Sequence, residues 1–150
     1  MLKSLLLAAT LITHSGNFTQ TTDIKFRYSH SVNPSDFNSI HPILRQIMVD
    51  ISNFCIDNNI TLFVTSIIRT PERNSELGAV SDTHVEGRAV DFSIRSEFGW
   101  TKDMLGKLEK LLESKYGAVG AYSYSGKQKV IVIHDIGHGI HAHIQVRRGL

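Results

Sequence analysis

Two stretches of this 150-residue chain carry side chains of metal-ligand chemistry. The first is Ser81-Asp82-Thr83-His84-Val85-Glu86-Gly87-Arg88-Ala89-Val90-Asp91-Phe92-Ser93-Ile94, a polar loop running into an alternating strand. Alternation sends Ala89, Asp91 and Ser93 to one face and Val90, Phe92 and Ile94 to the other, so Asp91 stands among small residues opposite the apolar face. His84 lies seven positions ahead of Asp91, beyond Gly87. The backbone freedom of that glycine lets the loop fold back until imidazole and carboxylate can bind one ion. The second stretch, His141-Ala142-His143-Ile144-Gln145-Val146, alternates strictly and puts His141, His143 and Gln145 on one face, with Ala142, Ile144 and Val146 in the core. One of its two imidazoles can ligate a metal while the other is left for proton transfer or for stabilising an oxyanion, the division of labour of a hydrolytic zinc site.

Each part alone has an ordinary explanation. A single histidine near a strand end is usually a hydrogen-bonded residue, an aspartate can serve a turn or an ion pair, and a His-x-His pair can line an exposed strand. Taken together, one carboxylate and two imidazoles fit the three-ligand rule of catalytic zinc, with a fourth position open to water. The single cysteine, Cys55, excludes an internal disulfide and every cysteine-based zinc finger, so a metal here must be held by histidine and carboxylate.

The elements that must position these residues are legible from periodicity. Leu44, Ile47, Met48, Ile51, Phe54 and Cys55 recur at helical spacing behind Pro42, predicting a helix over 42–57 with Cys55 turned to the core as packing rather than as a nucleophile. Thr61 to Ile67 reads as a strand, followed at Arg69 by a polar loop with Pro71, Glu72, Arg73 and Asn74. Thr101 as N-cap, Asp103 in the first turn, Met104, Leu105, Leu108, Leu111 and Leu112, and Gly117 beyond the end predict a second helix. Ala118 to Tyr124, Lys129 to His134 and His141 to Val146 read as strands of an antiparallel meander. Helices first and strands later argue for an α+β fold, with N-terminal helices packed on a small, mainly antiparallel sheet.

Composition sets the remaining bounds. With 41% hydrophobic and 20% charged residues and only 3 Pro, the chain is globular and of one-domain size. A net charge of +2 is too small for a dedicated nucleic-acid protein, though it suits an anionic partner such as a wall polymer. The apolar run Leu5 to Ile12 behind Lys3 is too short to span a bilayer; residues 1–20 read either as a short secretory signal or as an N-terminal extension, and 21–150 as one domain. No stable membrane insertion and a monomer are expected.

Ser81-x-x-His84-x-x-Gly87-x-Ala89-x-Asp91, preceded by Ser66-x-x-Arg69 and followed by His141-x-His143, resembles the M15-type zinc peptidases over roughly residues 35 to 147. Their relatives include D-Ala-D-Ala carboxypeptidases and dipeptidases, phage endolysins, murein endopeptidase and the hedgehog signalling domain. The resemblance implies a hedgehog/DD-peptidase-like fold, a Zn2+ cofactor held by His84, Asp91 and His143, and Arg69 and Ser81 at the substrate, with Arg69 also facing the developing oxyanion. Gly117 to Tyr124 is similar to the family's Gly/Tyr-rich strand before the last ligand. It further implies hydrolysis of peptidoglycan peptides at the bacterial cell wall, and a small hydrolase of this kind fits a phage lysis protein.

The chain departs from the pattern at the catalytic base. Where many members have Glu three or six residues before the last ligand, this chain has Ile140 and Gly137. The spacing His138-x-x-His141-x-His143 resembles murein endopeptidase, so His141 is the leading proton-transfer residue, His138 the second and Asp135 the third. His134 is a rival ligand if His134-Asp135 replaces the final histidine. The missing Glu also supports an alternative, a noncatalytic zinc-stabilised binding module on the same scaffold. A dipeptidase for free D-Ala-D-Ala is a third reading. Glu86, His14, His30 and His41 are assigned ordinary polar roles, and Trp100, Tyr122 and Tyr124 core or strand packing by default, with a cleft wall as the alternative; Arg147 and Arg148 either attract an anionic peptide or solvate the chain end.

Overall fold

The computed structural model describes residues 26–123, 125–135 and 139–150. The expected N-terminal signal or extension, His14, Tyr124 and His138 lie outside the described residues. The elements are β1 (Phe26–Tyr28), α1 (Pro42–Asp57), β2 (Leu62–Ser66), α2 (Pro71–Glu76), β3 (Ala89–Ser93), α3 (Lys102–Tyr116), β4 (Ala121–Tyr122), β5 (Gln128–Lys129), β6 (Ile131–Asp135) and β7 (Ile140–Gln145). The main sheet has the order β1-β2-β3-β7-β6; β1 runs parallel to β2 and the other pairs are antiparallel.

Both long helices form for the reasons their sequences give. In α1 Pro42 occupies the first turn, and His41 caps it by accepting from the Ile43 amide through Nδ1. Its stripe of Leu44, Ile47, Met48, Ile51 and Cys55 is buried, and burial pushes the Cys55 thiol up to about 12, which makes it inert packing. In α3 Thr101 accepts from the Met104 amide, and Leu108 and Leu112 are buried. These stripes cover the apolar sheet face made by Val64, Val90, Phe92, Ala142 and Ile144. Trp100 stacks on Phe92 and Phe54, which makes it core and not a cleft wall.

Several expectations are corrected. The stretch read as a loop after Arg69 contains the short helix α2, because Thr70 caps the Arg73 amide and Pro71 starts the turn. Ala118 to Tyr124 is not one strand: the chain turns through a 3-10 segment at Gly117–Val119 and then pairs for two residues, Ala121–Tyr122. Lys129 to His134 breaks at Val130, where the Glu113 carboxylate accepts both the Val130 and Ile131 amides in place of a strand partner. β4 and β5 therefore form a separate ribbon, and of the expected meander only the β6–β7 hairpin joins the main sheet. The parallel strand β1 had no reading of its own.

Candidate metal centre

The face of the sheet away from the helices carries the polar residues. Cross-strand register stacks them in rows, with Asp91 beside His143 and Ser93 beside His141 on β3 and β7, and His141 beside His134 on β7 and β6. Directly opposed residues of antiparallel strands share a face, so Asp91, His143, His141 and His134 all project to one side.

His84 joins them from the loop before β3. Gly87 takes a left-handed φ of 64°, and a Cβ there would lie 2.9 Å from the Ser39 carbonyl oxygen, so the turn requires glycine. The Gly87 carbonyl accepts from the His41 amide, and the Arg88 amide donates back to Thr83. Arg88 also donates to the Val146 carbonyl at 2.6 Å, tying the loop to the end of β7. From the other side Asn74 of α2 donates to the Ser81 carbonyl. Ser81 itself is exposed; its hydroxyl accepts from the Thr83 amide and bonds the Thr83 side chain, shaping the turn before His84.

His84, Asp91 and His143 converge, their ligand atoms all within 4.8 Å of one another, and these residues could hold a metal ion. His84 and Asp91 are buried, at 2% and 4% exposure, and His143 is half-buried. His84 Nδ1 lies 2.7 Å from the Ile67 carbonyl oxygen; a carbonyl only accepts, so the ring proton is on Nδ1 and Nε2 carries the lone pair. That Nε2 is buried without a hydrogen bond, although Asp91 Oδ2 is 3.0 Å away. A lone pair facing a carboxylate is the arrangement that a cation between them satisfies. His143 Nδ1 donates to Asp91 Oδ1 at 2.7 Å.

Burial lowers the His84 pKa, reinforced by the charges of His143 and Arg69 and only partly opposed by Asp91, so the imidazole is neutral as a ligand must be. Burial would raise Asp91, but the hydrogen bond from His143, together with the nearby His84 ring, outweighs it and holds its carboxyl well below the ordinary range.

Arg69 reaches the same carboxylate, its guanidinium donating to Asp91 Oδ2 at 2.7 Å while Nε donates to Ser66 Oγ at 2.9 Å. A bulge makes this possible. Val64 pairs with Phe92 on the core side, and one inserted residue then brings Ser66 opposite Asp91 on the polar side. Without the insertion Ser66 would share the face of Val64.

His141 sits one row from the triad, half-buried, with Nδ1 donating to the Gly139 carbonyl at 3.2 Å. His134 is not in the triad but stands 5.5 Å, centroid to centroid, from both His143 and His141. Burial, then the neighbouring imidazoles, lower its pKa. Sequence reasoning weighed His134 only as a substitute ligand; its alternation with Val132 on the strand paired to β7 was the signal for a place beside His141. Asp135, next along β6, projects to the opposite face from His134 and is exposed. Gln145 is a structural member of the row, donating to the Ala121 and Lys129 carbonyls and so holding the β4–β5 ribbon. Glu86 is taken up by Arg148 and Arg88, whose hydrogen bonds hold its carboxyl at about 2. Comparison of the chain with protein-family models, with curated proteins and with solved structures returns no match, so its chemistry rests on these residues themselves.

Proposed function

We propose that the protein is a zinc-dependent peptidase acting on the peptide stems or cross-links of bacterial peptidoglycan, with the hedgehog/DD-peptidase-like fold that its motifs resemble. The observation that carries the proposal is the convergence of His84, Asp91 and His143 around an unpartnered, buried imidazole nitrogen. Two nitrogens, one carboxylate and no sulfur are the donor set of catalytic zinc, and three protein ligands leave a vertex for water. Zinc bound there would acidify a water and polarise a scissile carbonyl.

The chain's own residues supply the rest. Arg69, anchored by Ser66, holds a positive charge beside Asp91 and is placed to stabilise the oxyanion of the tetrahedral intermediate. His141, its Nδ1 proton committed to Gly139, offers Nε2 to accept a proton from the attacking water and pass it to the leaving amine. His134 stands beside that ring, the two centroids 5.5 Å apart.

The test is metal analysis together with mass spectrometry of muropeptides after digestion of purified wall. Wild-type protein is expected to hold one tightly bound zinc and release defined fragments. Asp91→Ala is expected to lose both metal and lysis, and His141→Ala to keep the tightly bound zinc while turnover drops by about 100-fold or more. A wild-type protein that holds zinc yet cleaves no wall peptide supports the noncatalytic binding module instead, and undiminished lysis by Asp91→Ala overturns the mechanism.

A further inference from the structure

The imidazoles of His134 and His141 form a second cluster of ligand chemistry that the triad does not use. They are a cross-strand pair on β6 and β7, so their Cβ atoms project from the same sheet face at the same height. Their ring centroids are 5.5 Å apart with 34° between planes, close to the 5.1 Å between the rings of His84 and His143 in the triad. A ring nitrogen lies about 1.1 Å from an imidazole centroid and a metal–nitrogen bond of about 2.0–2.1 Å continues that line, so an ion about 3.2 Å from both centroids would see them at roughly 120°, close to a tetrahedral angle. Both side chains are half-buried, which leaves them reachable from solvent.

The orientation of His141 points the same way. Its Nδ1 donates to the Gly139 carbonyl just as Nδ1 of His84 donates to Ile67, which fixes the tautomer and leaves Nε2 as a lone pair. Among the described residues no carboxylate joins the pair as Asp91 joins the triad, and the pair itself supplies two ligands. An ion bound there has less compensating charge and fewer bonds, so the pair is the weaker site and favours imidazole-preferring ions.

We propose that His134 and His141 form a second, weaker site for a divalent transition-metal ion such as Cu2+ or Zn2+, adjacent to the His84–Asp91–His143 centre. If the peptidase proposal holds, filling this site withdraws the His141 nitrogen from proton transfer, so excess metal inhibits turnover.

The experiment is equilibrium titration of the full chain, stripped with chelator, using Cu2+ alone and Zn2+ alone, read by calorimetry and by the Cu2+ paramagnetic resonance spectrum. Wild type is expected to bind two ions in two affinity classes. His134→Ala should lose the weaker class, its affinity falling by about tenfold or more, and keep the tighter one. Asp91→Ala should do the reverse, and His134→Gln, which preserves size, guards against a folding defect. A single ion at saturation in wild type that both His134 variants still bind, or a second ion that persists in both His134 variants, overturns the proposal. A single ion in wild type that both His134 variants lose and Asp91→Ala keeps would overturn the zinc centre while supporting the pair, so the two failures are distinct.

Discussion

Asp91 carries more contacts than any other side chain of the centre: His143 on one oxygen, and Arg69 and His84 on the other. Buried charge is tolerated only when compensated, and without metal Arg69 supplies a permanent positive charge beside the carboxylate in addition to the His143 hydrogen bond. The guanidinium is therefore the counter-ion of the metal-free protein as well as a candidate oxyanion ligand. Replacing it removes one partner of a largely buried pair, which typically costs about 3 kcal/mol. Arg69→Gln is expected to lower the melting temperature of chelator-treated protein, and added zinc should raise it by more than in wild type. Equal zinc-induced shifts in the two proteins would show that Arg69 does not compensate Asp91.

At the scale of elements, the site depends on two local irregularities. One is the β2 bulge that turns Ser66 toward Asp91. The other is the turn at Gly87, where backbone from the Ser39–His41 segment approaches closely. Ala at Gly87 would meet both the left-handed backbone cost, about 1–2 kcal/mol, and a collision with a carbonyl oxygen. Gly78 has the same φ of 64° with no atom within 4 Å of an added Cβ, so Ala there meets only the backbone cost. Gly87→Ala is thus expected to destabilise more than Gly78→Ala in denaturant titrations and to weaken metal retention, since the same turn sets His84. Equal losses at the two positions would rule out the contact with Ser39 as the reason for glycine.

Across the whole molecule, the site leaves a signature in the pH dependence of stability. The folded protein keeps His84 neutral below its ordinary pKa of 6.5, whereas the unfolded chain takes up the proton. The unfolded state then binds more protons, so stability of metal-free protein is full above about pH 7 and falls as pH drops below 6.5 toward the depressed folded value. Asp91 adds a second acid limb. Its contribution is present above the ordinary value of 3.8 and is lost as pH falls through its lower folded pKa. Chelator-treated protein unfolded in urea across pH 4 to 8 should show the upper limb, to which His134 also contributes, and His84→Gln should reduce it. An upper limb unchanged in His84→Gln would assign it to another group.

Periodicity in the chain was enough to place α1, α3 and the strand of His141 and His143, because a buried stripe leaves its period in the residues that form it. Alternation likewise put Asp91 and the His141–His143 pair on polar strand faces within reach of His84, while the choice of His143 over His141 as ligand came only from the motif resemblance. Beyond that reach lay α2, the broken strands around Val130, the bulge at Ser66, and the place of His134 beside His141. Each depends on a partner distant along the chain. Glu113 accepts two strand amides, Ser66 gains its face only against Asp91, and His134 meets His141 only once the hairpin register is set. Sequence determined which residues are ligand-competent and which way single strands face; tertiary pairing alone decided which lone pairs meet, because register is a relation between segments that neither contains by itself.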